Sequence, residues 1–397
     1  MFPTLYHFLF DLTGISLPFL KVVNTFGFFV ALSIGAAFWA MSAEFDRKTV
    51  QGLFAKVKVK QVTGVGVAPS EYAVNGLMAF VFGYKILYLM VETGDGFSPQ
   101  DHVFSTEGSW LLGLGAMAFS LWRTWVTDKK QRAETPSETI VELNASAQMS
   151  NLTTIALLSG FLGAKVFHLL ETPSEIHWET LLVDLLTSGG WTFYGGLICG
   201  AAGVIWYTNK QGMHWRNVFD AGGPAMMLSY GLGRFGCHFS GDGDWGIANL
   251  KPNPGLPDWA WAYKYPHNVL GKDYASTGME LIPGCSGEYC YQLAVPVYPT
   301  PLYEALMALG LFAIMWFVLR KRNLAPFQMF SAYMMMAGLE RMMIESIREH
   351  GVSLYSLGGM QFSQAQMISL GLMLFGVLGW LWAGKSPMKV VSQEKVD

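Results

Sequence analysis

The chain has 397 residues, of which 52% are hydrophobic and only 14% are charged. This is about half the charged fraction of an average soluble domain, and the mean hydropathy is positive, at +0.31. The composition excludes an ordinary soluble domain and indicates an all-α, polytopic integral membrane protein. The formal net charge of −3, without a basic face along the chain, excludes nucleic acid as an expected partner.

Nine segments are long and apolar enough to cross a hydrocarbon core of about 30 Å. Lys and Arg gather in alternate loops, such as 43–70, and in the C-terminal tail, whereas loops 92–106 and 171–188 contain neither. Because basic loops favour the cytoplasmic side, we expect an N-out, C-in topology, without a removable signal peptide. The predicted spans lie near 24–42, 71–91, 107–126, 152–170, 189–207, 218–236, 301–319, 328–346 and 363–383.

The first half of the chain contains an internal similarity. The stretch FGYKILYL at 82–89 returns as LGAKVFHL at 162–169, and Glu-Thr follows closely in each copy. Further identical residues recur at nearly the same offset, and Gly189 and Trp191 are their counterparts in the second copy. The pattern predicts a duplicated two-helix unit of about 80 residues, and chance similarity between apolar segments is the alternative.

The two copies differ in their polar residues. Only the second copy places a tyrosine, Tyr194, directly before a glycine pair, Gly195 and Gly196. A glycine pair in a membrane helix allows either a lipid headgroup or another helix to approach closely. Lys165 either contacts a lipid ligand or, like Lys85, extends toward the headgroups at the membrane surface.

Residues 217–246 contain the densest group of unusual residues. Asp220 is followed by Gly-Gly-Pro at 222–224, which predicts that a helix begins or is interrupted here. Arg234 then stands among glycines at the end of a span, where an arginine requires an anionic or polar partner. Its guanidinium is suited to a forked contact with a phosphate. These features predict the functional centre.

Two acids, Asp242 and Asp244, follow closely and flank Gly243. This spacing either holds basic residues or coordinates a hard cation, and so short a motif is weak support for a cation. We therefore expect no metal site.

The long loop 247–298 is expected on the outer side of the membrane. Its closely spaced Cys285 and Cys290 form either a disulfide in an oxidising compartment or two free thiols. Its aromatic residues predict that the loop lies on the outer leaflet or covers the entrance for a protein substrate. Cys199 and Cys237 are expected to be packing residues.

Two later segments carry charge to the same side. Tyr303 and Glu304 fall in the first turn of a predicted span, where an interfacial aromatic and an acid at a helix N-terminus are the simpler explanation. Arg341 and Glu345 are four residues apart on one helix face and can pair. Together with Arg234, Arg341 suggests a phosphate clamp, and a structural salt bridge is the alternative.

Four short motifs occur along the chain: FYGGLICG at 193–200, GLGRFG at 231–236, PLYEA at 301–305 and RMMIESIR at 341–348. Together they resemble the prolipoprotein diacylglyceryl transferase family, over a little more than half of the chain. The resemblance implies an enzyme that moves the diacylglyceryl group of phosphatidylglycerol to the lipobox cysteine thiol in a prolipoprotein signal peptide. It implies no cofactor. The expected location is the bacterial inner membrane, in contact with membrane lipid, with the active site on the extracytoplasmic side.

The resemblance also assigns roles to residues. Arg234 matches the arginine expected to bind the phospholipid phosphate, Arg341 matches the second essential arginine, and Glu345 matches its partner acid. Tyr303 and Glu304 match the family's Leu-Tyr-Glu element.

The chain departs from the family pattern at several positions. Tyr194 stands where the family usually has histidine, Cys237 replaces an asparagine, and Phe26 replaces a tyrosine. The run that follows the signature motif GLGRFG at 231–236 is one residue longer than is usual in the family. Either Asp242 or Asp244 therefore replaces the family's acid.

We expect arginine electrostatics to supply most of the rate enhancement. Arg234 and Arg341 would neutralise the phosphate leaving group while the incoming thiolate attacks the glycerol carbon bonded to it. Tyr194 would orient the headgroup, and either His238 or Glu345 would accept the thiol proton, because tyrosine is a poor base at neutral pH.

Two other functions stay open. The missing histidine suggests a relative that binds phospholipid without catalysis or modifies another acceptor. A transporter is less expected, because the apparent repeat is parallel and most polar residues lie at the outer end. The expected organisation is N-terminal spans with the duplicated unit (1–150), core spans with the signature (151–246), the external loop (247–298), and C-terminal core spans with a cytoplasmic tail (299–397).

Overall fold

The computed structural model describes residues 1–91, 105–132, 137–173, 192–271, 278–287, 289–348, 354–357 and 360–385. Most of these residues are helical, as expected for a polytopic membrane protein. Five helices are long and apolar enough to cross a membrane: Thr25–Val50, Pro69–Val91, Ala145–Glu171, Thr300–Lys321 and Gln364–Gly384. The described part of each of the other predicted spans is also helical, but the count of nine spans and the orientation stay predictions. Most of loops 92–106 and 171–188, Gly189, Trp191 and the tail beyond 385 lie outside the described residues.

The helices are numbered in chain order. They are α1 (Leu5–Thr13), α2 (Thr25–Val50), α3 (Pro69–Val91), α4 (Trp110–Gln131), α5 (Met149–Glu171), α6 (Phe193–Lys210), α7 (Trp215–Ser240), α8 (Asp258–Trp261), α9 (Thr300–Lys321), α10 (Gln328–Glu345) and α11 (Gln364–Gly384). Within α3 and α9, a π-helical turn interrupts the α-helical pattern at Phe82–Leu87 and at Ile314–Val318.

Within the described residues, three short two-stranded sheets correct the expectation of helices alone. They pair β1 (Val57–Thr63) with β2 (Ser137–Leu143), β3 (Met279–Leu281) with β4 (Tyr291–Leu293), and β5 (Leu354–Leu357) with β6 (Met360–Ser363). All three lie outside the long apolar segments, where open sheet edges can be solvated.

One compact unit consists of Phe2–Thr25 and Lys58–Leu143. Its helices α3 and α4 pack at Gly83, where an added Cβ would lie 2.4 Å from the Leu112 carbonyl oxygen. Lys85 donates hydrogen bonds to the carbonyl oxygens of Ser105 and, at 2.7 Å, of Glu107. The Lys85 ammonium therefore holds the chain just before α4, which is more specific than an extension toward lipid headgroups.

The second unit consists of Phe26–Val57 and Asn144–Asp397, together with Met1. Three helix pairs build it: α5 with α6, α7 with α9, and α10 with α11. Each pair meets at glycines. An added Cβ at Gly163 would lie 2.5 Å from the Gly195 carbonyl oxygen, and one at Gly338 would lie 2.8 Å from the Ser369 carbonyl oxygen. Small residues allow these backbones to approach closely, as expected where lipid surrounds the helices.

Helix α7 is continuous through Pro224, so the prediction of a helix start or interruption at 222–224 is wrong. A proline removes one backbone hydrogen bond, and a membrane helix tolerates it where neighbouring groups pack around it. Pro224 is buried. Asp220 instead serves the neighbouring helix: its carboxylate accepts the backbone N–H groups of Phe327 and Phe330, at the start of α10.

Candidate active site

The sequence brings six charged side chains together at one end of the second unit. They come from the last turns of α7, the loop that follows it, the beginning of α9, and the end of α10 with the residues just beyond it. This group, the arginine cluster, consists of Arg234, Asp244, Glu304, Arg341, Glu345 and Arg348.

Glu304 is the centre of the arginine cluster. Its side chain is fully buried, and all three arginines reach it. Arg234 Nε lies 3.0 Å from Glu304 Oε2, while Nη1 atoms of Arg341 and Arg348 lie 3.1 Å and 3.4 Å from Oε1. Glu304 lies just after the first turn of α9, and not in it as expected from the sequence. A buried carboxylate needs ionic partners, so Glu304 and the three guanidiniums depend on each other.

Asp244 closes the arginine cluster on its exposed side. Its Oδ2 accepts a hydrogen bond from Arg234 Nη1, and its Oδ1 accepts one from Arg348 Nη2. The Asp244 side chain is 30% exposed, whereas that of Glu304 is 0% exposed. Asp244 is therefore the acid of the arginine cluster that solvent or a ligand reaches most readily.

The backbone of the loop that carries Asp244 is fixed by its glycines and by contacts near the start of α9 and the end of α10. Gly241 ends α7 with φ +67°, and Gly243 has φ +98°, a region that glycine adopts without strain. Thr300 Oγ1 donates to the Asp244 carbonyl oxygen at 3.0 Å. Gly246 bonds to the Tyr298 carbonyl oxygen at 2.9 Å, and an added Cβ at Gly246 would lie 2.4 Å from the Ile347 oxygen. The loop backbone is thus packed tightly against the α9 and α10 ends.

Arg341 and Glu345 form the ion pair that their spacing predicts. Arg341 Nη2 lies 3.0 Å from Glu345 Oε2. Ser363 Oγ donates to Glu345 Oε1 at 2.8 Å, and the same serine begins the capping box of α11. The start of α11 therefore fixes Glu345, which in turn orients Arg341.

Beside Arg234 lie two more polar side chains. The Arg234 guanidinium stands 5.2 Å from the centre of the ring of Tyr230, which is half-buried, a cation–π distance. Glu340, directly before Arg341 in α10, is buried. Glu340 adds a further acid beside the arginine cluster.

Three other predicted residues lie close in the sequence to members of the arginine cluster, and two of them, Tyr303 and His238, contact the external loop. Tyr303 Oη donates to the Ala260 carbonyl oxygen at 2.7 Å, which ties α8 to the first turn of α9. His238 is buried, with Nδ1 3.3 Å from Tyr265 Oη. Asp242 accepts the Asp244 N–H at 3.3 Å. Burial raises the pKa of Asp242 above its usual range.

The remaining predicted site residues belong to the α5–α6 pair. Tyr194 is 47% exposed, and Lys165 is buried. An added Cβ at Gly195 would lie 2.4 Å from Phe167 Cβ, whereas one at Gly196 would meet the Gly160 oxygen at 3.3 Å. Helix packing accounts fully for Gly195. These residues lie on helices other than α7 and α10, which carry Arg234 and Arg341.

Cys285 and Cys290 are joined by a disulfide. It lies beside the β3–β4 hairpin of the external loop, whose core contains Tyr265, Leu293 and Val297. The Cys290 carbonyl oxygen accepts the Ile282 N–H at 2.8 Å, so the covalent link and the hairpin stabilise the same turn.

The sequence patterns do not identify Arg348, Glu340 or Ser363 as site residues. Arg348 lies in the quoted RMMIESIR motif, and a basic residue two helical turns beyond Arg341 was a usable signal. Glu340 and Ser363 gave no such signal, because their roles depend on contacts between distant segments.

Three guanidiniums meet at Glu304, and two of them also reach the partly exposed Asp244. Each offers a planar fork of donors, a geometry suited to a phosphate. Their charges are balanced by the carboxylates of Asp244, Glu304 and Glu345.

Comparisons with known proteins agree with this chemistry. A family model described as prolipoprotein diacylglyceryl transferase matches residues 111–382. Several similar proteins are named phosphatidylglycerol–prolipoprotein diacylglyceryl transferase. That of Vibrio atlanticus is 26% identical over 278 residues, covering 69% of this chain and 85% of the relative. That of Methylibium petroleiphilum is 28% identical over 232 residues, covering 58% and 74%. A relative from Leptospira interrogans is 26% identical over 219 residues, and the match spans 50% of this chain and only 60% of the relative.

Proposed function

Because this chain belongs to the prolipoprotein diacylglyceryl transferase family, we propose that it transfers the diacylglyceryl group of phosphatidylglycerol to the lipobox cysteine thiol of prolipoproteins. The observation that carries the proposal is the convergence of Arg234, Arg341 and Arg348 on Glu304, with Arg234 and Arg348 also holding the partly exposed Asp244. The substrate has one phosphate, which leaves with its glycerol headgroup in this reaction. Preorganised guanidinium groups stabilise the negative charge that develops on that leaving group.

The proposed step is a displacement at carbon. The cysteine sulfur forms a bond to the diacylglycerol carbon that carries the phosphate oxygen, and the bond between that carbon and that oxygen breaks. The electron pair leaves with glycerol phosphate, whose charge Arg234, Arg341 and Arg348 neutralise. The thiol proton moves to a base, since the thiolate is the effective nucleophile.

Of the two candidate bases, Glu345 has the better position. It touches Arg341 inside the arginine cluster, whereas the His238 ring is buried against Tyr265 of the external loop. We therefore propose Glu345 as the proton acceptor. The exposed Tyr194 side chain, with Gly196 and Lys165, remains our candidate for contacts with the lipid outside the arginine cluster.

We propose that the arginine cluster faces the extracytoplasmic side of the bacterial inner membrane, with the N-out, C-in topology. The loop that follows α7 contains the Cys285–Cys290 disulfide, and disulfides persist in oxidising compartments. We also propose that the first copy of the duplicated two-helix unit, within residues 1–150, and the loop 247–298 are additions to a shared core of seven spans. The family match begins only at residue 111, which supports this for the N-terminal part.

Complementation tests the proposed activity. The full chain is expressed in bacteria depleted of their own transferase, and conversion of a prolipoprotein is followed by its gel mobility. We expect rescue by the wild type and none by Arg234→Ala, which removes contacts to both Asp244 and Glu304. A correctly inserted wild type that does not rescue contradicts the proposal. Binding of phosphatidylglycerol without transfer would then favour a non-catalytic relative, as the Tyr194 departure suggests.

A further inference from the structure

We infer that the Asp244 carboxylate occupies the position of the lipid phosphate between Arg234 and Arg348, and competes with that phosphate throughout the reaction cycle. The inference rests on the proposed function, because it takes a phosphate ester as the ligand. It gives Asp244 a role opposite to that of a substrate contact: this side chain lowers the affinity for the ligand.

The contacts of Asp244 resemble those of a bound phosphate. Its two oxygens are divided between two guanidiniums, with Oδ2 on Arg234 and Oδ1 on Arg348. A phosphodiester likewise presents two unesterified oxygens to a pair of arginines. The two anions therefore require the same donors, and both cannot hold them at once.

The charge of the arginine cluster leads to the same conclusion. The charges of Arg234, Arg341 and Arg348 are balanced by those of Asp244, Glu304 and Glu345. The buried Glu340, directly before Arg341, adds a further acid. Adding a phosphate to this partly buried group would leave an unbalanced negative charge, which is unfavourable away from water. One carboxylate must therefore leave when the lipid binds.

Asp244 is the carboxylate that can leave. Glu304 and Glu345 lie on helices with side chains 0% and 7% exposed, whereas the Asp244 side chain is 30% exposed on a loop. Thr300 holds the backbone carbonyl of Asp244 rather than its carboxylate. The side chain can therefore rotate into solvent without moving the main chain.

The same competition acts on the product. Glycerol phosphate is a monoester and carries up to two negative charges at neutral pH, so the arginines hold it more strongly than the diester substrate. The return of Asp244 to Arg234 and Arg348 restores the charge balance and favours product release.

The test compares Asp244→Asn with Asp258→Asn in the whole 397-residue chain, purified in detergent. Asp258 is an exposed acid of the external loop whose carboxylate bonds to Asn253, so it controls for the loss of one acid. The measurement is the Kd of glycerol phosphate by calorimetry, with product inhibition of transfer as a second reading. We expect Asp244→Asn to tighten binding by about fivefold, which matches a partly exposed ion pair of ~1 kcal/mol. Asp258→Asn should not change it.

Unchanged or weaker binding in Asp244→Asn overturns the inference. Asp244→Ser serves as a second variant if the asparagine disturbs folding, and the same criterion applies to it. Rescue by the wild type distinguishes a failure of this inference from a failure of the proposed function. If the wild type rescues while neither variant tightens binding, only the role of Asp244 is wrong. If a variant tightens binding although the wild type does not rescue, the competition holds and the proposed reaction fails.

Discussion

Among single residues, Glu304 has the largest number of ionic partners at the site. Its carboxylate is buried and shared by three arginines. The arginines in turn come from segments that are far apart in the sequence, so one acid organises contacts among α7, α9 and α10.

Glu304→Gln should therefore lower stability as well as activity. Removing one partner of a buried ion pair costs about 3–5 kcal/mol, because the remaining charges lose their compensation. Thermal unfolding in detergent measures the change. Glu280→Gln is the matched control, since Glu280 also pairs with a cation, Lys264, but both side chains are exposed by about 41–42%. An equal fall in Tm for both variants would contradict the assigned role.

Arg348 provides a second test of a single residue. Its Nη1 and Nη2 reach two different carboxylates, and a lysine ammonium cannot reproduce that fork. We expect Arg348→Lys to lower kcat by about 100-fold, as for the loss of one preorganised donor. Arg322→Lys, at an exposed position just after α9, should leave the rate unchanged. A near-normal rate in Arg348→Lys would remove Arg348 from the site.

The sequence predicts the site residues that carry a local pattern. Arg341 and Glu345 are four residues apart, and Arg234 stands among glycines at a span end, so each is visible along the chain. The partners of Asp244 are not, because Arg234 and Arg348 meet it only through the packing of Gly246 against Ile347 and Thr300. The functions expected of Tyr194 and His238 depended on the family pattern, and the structure places both away from the arginines' contacts.

Among the secondary-structure elements, the α5–α6 pair shows how glycines set the distance between helices. Gly163 and Gly195 face each other with carbonyl oxygens at 2.5 Å from each added Cβ. The sequence left lipid binding and packing as alternatives for the glycine pair, and the contacts of Gly195 are those of packing.

Gly195→Ala should consequently destabilise the protein by about 1–3 kcal/mol, the cost of overpacking a close contact. Gly222→Ala is the control, because nothing lies within 4 Å of its added Cβ and alanine favours a helix. Thermal unfolding of both variants in the same detergent makes the comparison. Equal thermal stability of the two variants would show that the α5 and α6 backbones can move apart without a loss of stability.

The elements themselves were predictable to different degrees. Long apolar segments identify the helices because each must satisfy its own backbone in lipid. Pro224 misled the prediction, since its tolerance depends on the groups that bury it. The β3–β4 hairpin was missed because three-residue strands are too short for a recognisable alternation.

For the whole molecule, the topology is the main prediction to test. Cysteines are introduced at Lys60, in a loop expected inside, and at Leu250, in the loop expected outside. With a membrane-impermeant thiol reagent, Leu250→Cys should react in intact cells, and Lys60→Cys only after permeabilisation. The unsubstituted chain controls for Cys199 and Cys237. The reverse pattern of labelling would invert the orientation and place the arginine cluster in the cytoplasm.

Asp244 also determines which phosphates the site can distinguish. A carboxylate attached to its own binding site has an effective concentration in the millimolar range or above, so every dissolved phosphate must compete with it. A phospholipid is confined to the bilayer beside the site and meets the arginines at a far higher local density. The tethered acid therefore disfavours a scarce soluble phosphate more than a membrane-borne one.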